Sequence, residues 1–416
     1  MHSPVGGKTL ELWIPYGETE IPIRVPDDNF YKILEPKKPA QTDTSKLIQE
    51  SLNHPVNDFQ LSNSVKPGTT AGIFVDPILP LRVQNQAIEI LKSKLGELGV
   101  DKIRLFLRHR TSNVESRPAQ LETPLNIFDP RDKTFTELGK TSQGTNVQIE
   151  NELLACDLKM VLGMVTPHFA SGFAGGPDIV LPGSSSLETI AKNRSLMIKG
   201  IPGPGDIKEN LVLSDELEAC KMAGTFYSLS FIPDGSEGID SVFSGELEAV
   251  FRETVARYLQ IHSPKVDRKS DVVVVAAGKI LGMDLYHGVR VLSNAFGAVK
   301  KEGTIILVAE CSKGIGNQEF LEYSRRFSEK KDLVTEMSHR FKLGSHVSLF
   351  LQEALEKHRI QLVSVLPDLY SRDSFKLKPS RTASSAIQQS IRVEGKEAKI
   401  LIVTRGDLMI PIVQTS

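Results

Sequence analysis

Ala71-Gly-Ile-Phe-Val75, then Arg82 to Gly99, then Lys102-Ile-Arg-Leu-Phe-Leu107 is the stretch whose reading decides the fold class. The first and last pieces are short apolar runs, ended by Asp76-Pro77 and by Arg108-His109-Arg110. The middle piece repeats its apolar residues at helical spacing and closes on glycine. A strand, a helix and a second strand in that order form a crossover unit, so the two strands run parallel. Sheets of this kind present ligand-binding groups beyond the carboxyl ends of their strands, where Asp76 and His109 stand.

Outward from this unit, Leu10 to Pro26 alternates apolar and polar residues around Pro15-Tyr16-Gly17 and predicts a β-hairpin. Ser45 to Leu52 predicts a short helix, and Thr111 to Gln148 reads as polar and irregular. Ile149 to Ala155 predicts a helix, Asp157 to Val165 a strand that delivers His168, and Asp240 to His262 a further helix. The polar run Ile261 to Ser270 contains proline and marks the domain boundary. Beyond it, predicted strands at 271–277, 303–309, 360–365 and 399–404 alternate with predicted helices at 285–299, 317–327, 347–357 and 384–393. The expected fold is therefore α/β, with two α/β domains built on mainly parallel sheets. The domains fall at 1–262 and 271–404, with a tail, 405–416, that returns to the N-terminal domain.

A chain of 416 residues is long enough for two such domains. Its net charge of −1 lacks the basic excess of a nucleic-acid binder, and no acidic tail is present. No run reaches the ~20 apolar residues of a membrane span. Cys156, Cys220 and Cys311 are odd in number and far apart, which predicts buried reduced thiols in a cytoplasmic protein.

Chemistry concentrates in Thr166-Pro-His-Phe169 and the glycine-rich Gly172-Phe-Ala-Gly-Gly-Pro-Asp-Ile-Val-Leu-Pro-Gly183. Ser185-x-x-Glu188 follows in a capping-box pattern that opens a helix. Glycine loops entering a helix expose backbone N–H groups to an anion, so Gly172, Gly175 and Gly176 are candidate cofactor-binding residues. The loop matches neither standard nucleotide fingerprint. Ordinary tight turns use the same residues. Gly314 and Gly316 form a second candidate nest. Among nine histidines, His109, His168 and His287 stand where an imidazole could move protons. Tyr286 and Arg290 are one helical turn apart and, with His287, are candidate substrate-binding residues.

In their order, these motifs resemble the nickel-pincer lactate racemase family over nearly the whole chain. The resemblance rests on Ile14-Pro-Tyr-Gly17, Asp76-Pro-Ile-Leu-Pro80, His109-Arg110 and Pro167-His168-Phe169 with the glycine loop and Leu-Pro-Gly. It continues in Asp284-Leu-Tyr286 and Cys311-x-x-Gly-Ile-Gly316. It implies an active-site cleft between two α/β domains, a small hydroxyacid or related carboxylate as substrate, and a nickel-pincer nucleotide tethered to a lysine. It also implies that His109 and His168 are the acid/base pair, and it puts Asp76 with the cofactor-binding residues. The chain departs from the pattern at four places. Asp178 stands at the lysine position, Arg194 at the nickel-ligand histidine and Leu79 at the substrate arginine. Tyr286-His287-Gly-Val-Arg290 replaces Tyr-Gln-x-x-Lys. An aspartate has no amine for a tether, and a guanidinium stays protonated and is a poor ligand. Asp178 and Arg194 are thus expected to form an ion pair across the old metal pocket. Three functions follow: a 2-hydroxyacid racemase or epimerase, a nickel-independent isomerase or lyase, and a noncatalytic homologue that binds a nucleotide or sugar acid.

Overall fold

The computed structural model describes residues 8–37, 43–108, 125–203, 205–236 and 238–414. It divides into two compact units, one from Lys37 to Ile261 and the other joining the chain up to Pro36 with His262 onward.

The central unit holds a six-stranded sheet in the order 239–246, 226–233, 158–164, 70–75, 102–108, 125–128. All neighbours are parallel except the first pair. The helix Leu81–Glu97 connects the strands Thr70–Val75 and Lys102–Arg108, as the sequence predicts. It buries Val83, Ala87, Ile88, Leu91 and Leu95 along one stripe at three- and four-residue spacing. That stripe packs with Ile73, Leu105, Met160 and Leu229 in one core. Truncating a core leucine such as Leu91 would cost about 2–5 kcal/mol. From Thr70–Val75 the chain first adds strands on one side, then returns to lay Leu158–Met164 on the other. The order therefore reverses between these two neighbours. A crevice opens beyond the carboxyl ends of strands at such a reversal.

The second unit carries six parallel strands in the order 378–380, 359–363, 299–308, 270–276, 400–403, 30–34. Val272–Val275 is fully buried, and this β-branched run suits a strand covered on both faces. The hairpin Thr9–Tyr16 and Thr19–Pro26 forms as expected. Its Ile14, Ile23 and Val25 join the core made by Val272, Val274 and Ile402.

Two boundaries differ from the sequence reading. The segment up to Pro36 belongs with the C-terminal sheet, because Phe30–Leu34 pairs in parallel with Ile400–Val403. The tail stays in that same unit, where Ile412–Val413 pairs with Lys265–Val266 and Ile410 N–H donates to His262. Strand partners hundreds of residues apart leave no mark in local patterning. Local corrections follow too. Ile239–Glu246 is a strand before the helix Leu247–His262. Strands Phe135–Lys140 and Asn146–Glu150 occupy part of the stretch read as irregular, leaving only Asn151–Leu154 helical. The predicted 285–299 helix is three short turns. No helix among the described residues is long and apolar enough to cross a membrane. All three cysteines are free and buried.

Candidate functional site

Asp76 and His168 both lie past the carboxyl ends of the two strands that flank the reversal in the central sheet. Asp76 is buried, donates its N–H to Leu162 C=O and accepts the Ile78 N–H at 3.1 Å on Oδ1. It thereby shapes the turn into the helix Leu81–Glu97. Leu79 is buried.

His168 ends Thr166–His168, which pairs antiparallel with Gly172–Ala174. Three residues, Phe169 to Ser171, close this hairpin. Gly172 follows at φ +75°, and a Cβ there would stand 2.2 Å from Asp206 O. The half-buried His168 ring accepts the Ala170 and Ser171 N–H groups on Nδ1, each at 3.2 Å. In the neutral ring that leaves the hydrogen on Nε2.

The glycine segment is thus a hairpin and a packing device, not a loop that opens a helix onto an anion. A Cβ on Gly175 would stand 2.1 Å from Met164 O. The Gly175 and Gly176 N–H groups donate to Asp178 Oδ1 at 2.7 and 2.9 Å. The chain's own carboxylate therefore fills the nest an external anion would use. The helix that follows is Leu187–Ser195, capped by Ser186 through the Thr189 N–H and not by Ser185. Ser185 Oγ donates instead to Val180 C=O. In the second candidate nest the Gly314 N–H is used internally. Lys313 and Gly314 N–H donate to Met283 and Cys311 C=O, and Gly314 and Ile315 C=O accept from Leu285 and Tyr286.

Arg194 does not pair with Asp178 as expected. Its Nη1 reaches Glu216 Oε1 at 2.7 Å and Asn193 Oδ1 at 2.6 Å, both buried. Glu216 stands on the helix Leu211–Ala223. Its Oε1 also accepts the Ser171 hydroxyl at 2.8 Å. Burial pushes the Glu216 carboxyl up to about 7, against the pull of Arg194 and with help from the charge of Asp178. Asn193 in turn donates to Asp215, which Thr141 and Thr145 also hold. Neither Glu216 nor Asp215 was singled out from sequence. Their stretch carries no motif, and only the packing of the helix Leu211–Ala223 turns both acids inward.

In the other unit, Asp284 caps the short helix Leu285–Gly288 through the His287 N–H. The same carboxylate meets His287 Nδ1 at 2.8 and 2.9 Å, and both residues are buried. A carboxylate only accepts, so Nδ1 carries the hydrogen. Tyr286 is half-buried, its ring edge-on to His287, Phe320 and His346. Arg290 is half-buried in the turn Val289–Val291, one turn along. Burial, with the charges of Asp284 and Glu310, pushes the Cys311 thiol well up, so it is no nucleophile. His109 lies outside the described residues.

No group of three or more His, Cys, Asp or Glu among the described residues could hold a metal ion. The nickel-pincer group also meets an unsuitable donor set. The lysine position is a carboxylate engaged by two amides, and the histidine position is a guanidinium engaged by Glu216. The residues present do not fit a lysine-tethered, histidine-ligated pincer.

Comparison with known proteins places the scaffold. Residues 16–201 match the lactate racemase N-terminal domain and residues 266–410 the lactate racemase C-terminal domain. The chain is 23% identical to a lactate racemase of Thermoanaerobacterium thermosaccharolyticum, over 94% of this chain and 97% of that protein. It is 24% identical to one of Lactiplantibacillus plantarum, with the same coverage. It superposes on the lactate racemase apoprotein of the first organism with a TM-score of 0.84, covering 97% of this chain and 100% of that one at 20% identity. A Thermotoga maritima crystal structure gives 0.67, at 16% identity and 91% and 100% coverage. With both halves matched in order, the chain belongs to the lactate racemase family.

Proposed function

We propose that this protein is a lactate racemase-like isomerase of small 2-hydroxyacids whose proton transfers are carried by histidine, without a lysine-tethered nickel pincer. The observation that carries this reading is His168, held at the reversal of the central sheet by two amides on Nδ1. Its Nε2–H is then a ready proton donor, and an imidazole works in both directions near neutral pH. His109, which the family resemblance pairs with His168, is the assigned partner in the exchange. Leu79 offers no charge to a carboxylate, so carboxylate recognition is assigned to Tyr286 and Arg290. The change at Leu79 also favours a hydroxyacid other than lactate itself.

The test is interconversion of the enantiomers of lactate and a panel of larger 2-hydroxyacids, read by chiral chromatography on wild type, His168→Gln and metal-depleted wild type. Turnover that survives metal depletion and falls at least ~100-fold in H168Q is expected. Turnover that disappears with nickel removal and returns with nickel would overturn the metal-independent reading. A binding role without turnover is the second reading, favoured by the internal filling of the glycine nest by Asp178. Thermal stabilisation by a hydroxyacid with no interconversion would support it.

A further inference from the structure

We infer that Arg194 and Glu216 are positioning residues for His168: the buried ion pair fixes Ser171, and Ser171 fixes the imidazole. The inference rests on the reading of His168 as the acid/base group, but its geometry is independent of any substrate. Ser171 makes two bonds in different directions. Its hydroxyl donates to Glu216 Oε1 at 2.8 Å, and its N–H donates to His168 Nδ1 at 3.2 Å. One residue therefore joins the ring to the helix Leu211–Ala223. The same helix holds the hairpin tip a second time. Its cap residue Asn210 donates to Ala170 C=O at 3.0 Å, and the Ala170 N–H is the other donor to His168 Nδ1. Both amides that set the ring are thus anchored to a single helix, through Asn210 and Glu216.

Arg194 completes the anchor from the neighbouring helix Leu187–Ser195. Its Nη1 meets Glu216 Oε1, the oxygen that takes the Ser171 hydroxyl. Where the family resemblance puts a metal-ligating histidine, this chain has a cation that steadies a carboxylate behind the acid/base histidine. Glu216 Oε2 is buried with no hydrogen-bond partner. A carboxyl can therefore hold a proton on Oε2 while Oε1 goes on accepting from Ser171. Replacing a buried ion pair by an apolar pair of similar volume is often neutral or stabilising, so stability alone is weak ground for the pair, and the geometry it imposes is what it adds. Imidazole tautomer and ring direction are set by the bond at the other nitrogen, and that bond is what this chain of contacts controls.

The test reads the ring directly. The imidazole 15N shifts of His168, assigned by their loss in His168→Gln, report which nitrogen carries hydrogen in wild type, Ser171→Ala, Glu216→Gln and Glu216→Leu. Wild type is expected to show the Nε2–H form. S171A keeps the backbone N–H but cuts the link to Glu216, and E216L removes the acceptor. Both should move the shifts toward a tautomer mixture, while E216Q, whose amide oxygen still accepts, stays near wild type. On a turned-over hydroxyacid, kcat should fall about 10- to 100-fold in S171A and E216L with KM little changed. Wild-type His168 shifts in folded S171A would overturn the inference, even if E216L fails to fold. Absence of turnover in wild type would overturn the proposed function alone, because the shift comparison needs no substrate.

Discussion

His168 and His287 sit in different units and are held by opposite kinds of partner. Backbone amides donate to Nδ1 of His168, whereas a carboxylate accepts from Nδ1 of His287. The two neutral rings are therefore opposite tautomers. His168 carries hydrogen on Nε2, and His287 carries it on Nδ1. The lesson is that each ring's tautomer is read from its neighbour, a hairpin amide in one case and a helix cap in the other.

The largest effect should come from breaking the ring whose Nδ1 accepts two backbone amides. H168Q should lose at least ~100-fold in turnover, since a glutamine cannot exchange the proton. Equal turnover in H168Q and wild type would remove His168 from the chemistry. Next is the carboxylate-held ring. Asp284→Asn keeps one oxygen acceptor, but its amide can also donate to Nδ1, so the His287 ring loses its fixed tautomer. The expected result is a mixed imidazole 15N pattern for His287 in place of the Nδ1–H form. An unchanged pattern would mean that Asp284 serves only as a helix cap.

Gly172 comes third, because it fixes the hairpin that aims His168. At φ +75° and with Asp206 O 2.2 Å from a built Cβ, Gly172→Ala should cost about 1–3 kcal/mol in urea unfolding. It should also lower turnover by moving the ring. Behind His287 the corresponding close approach is at Gly316, φ +86°, where a Cβ would stand 2.4 Å from the Asp284 carboxylate, while Asp284 itself is extended at φ −144°. A Gly172→Ala variant as stable as wild type would show that the tip can shift at no cost.

Much of this was legible in the sequence. The strand–helix–strand unit at 71–107, the strands at 157–165, 271–277, 303–309, 360–365 and 399–404, the N-terminal hairpin and His168 at a strand end follow from period, turn residues and order, because those features are local; the strands Phe30–Leu34, Phe226–Pro233 and Ile239–Glu246 were not read. The Asp178–Arg194 expectation failed for a reason of the opposite kind. It paired the two residues that departed from the family pattern, although each had a nearer partner from a segment with no motif. Asp178 turned to amides two and three residues before it, and Arg194 to Glu216 on a helix that sequence patterning passed over. The glycine-rich loop misled similarly. Glycines needed for close backbone contact, as Gly175 is against Met164, have the same composition as glycines that cradle an anion.

The smallest effect tests the anchor behind His168 through its proton. Burial raises the Glu216 carboxyl from 4.5 to about 7, although Arg194 pulls it down. The folded protein then binds this proton more tightly than the unfolded chain does. The contribution is fully present below the unfolded value and is lost as pH rises through about 7, so unfolding free energy falls with rising pH across that window. The groups that act on Glu216 are Arg194, Ser171 and Asp178. Glu216→Gln carries no ionisable proton and should lack the slope. Relative to E216Q, wild type should therefore lose on the order of 1–3 kcal/mol between about pH 5 and pH 8. If the gap between wild type and E216Q stays constant across the range, Glu216 is ionised throughout. Arg194 then outweighs burial, and the pair behind His168 is a fixed salt bridge without a titrating proton.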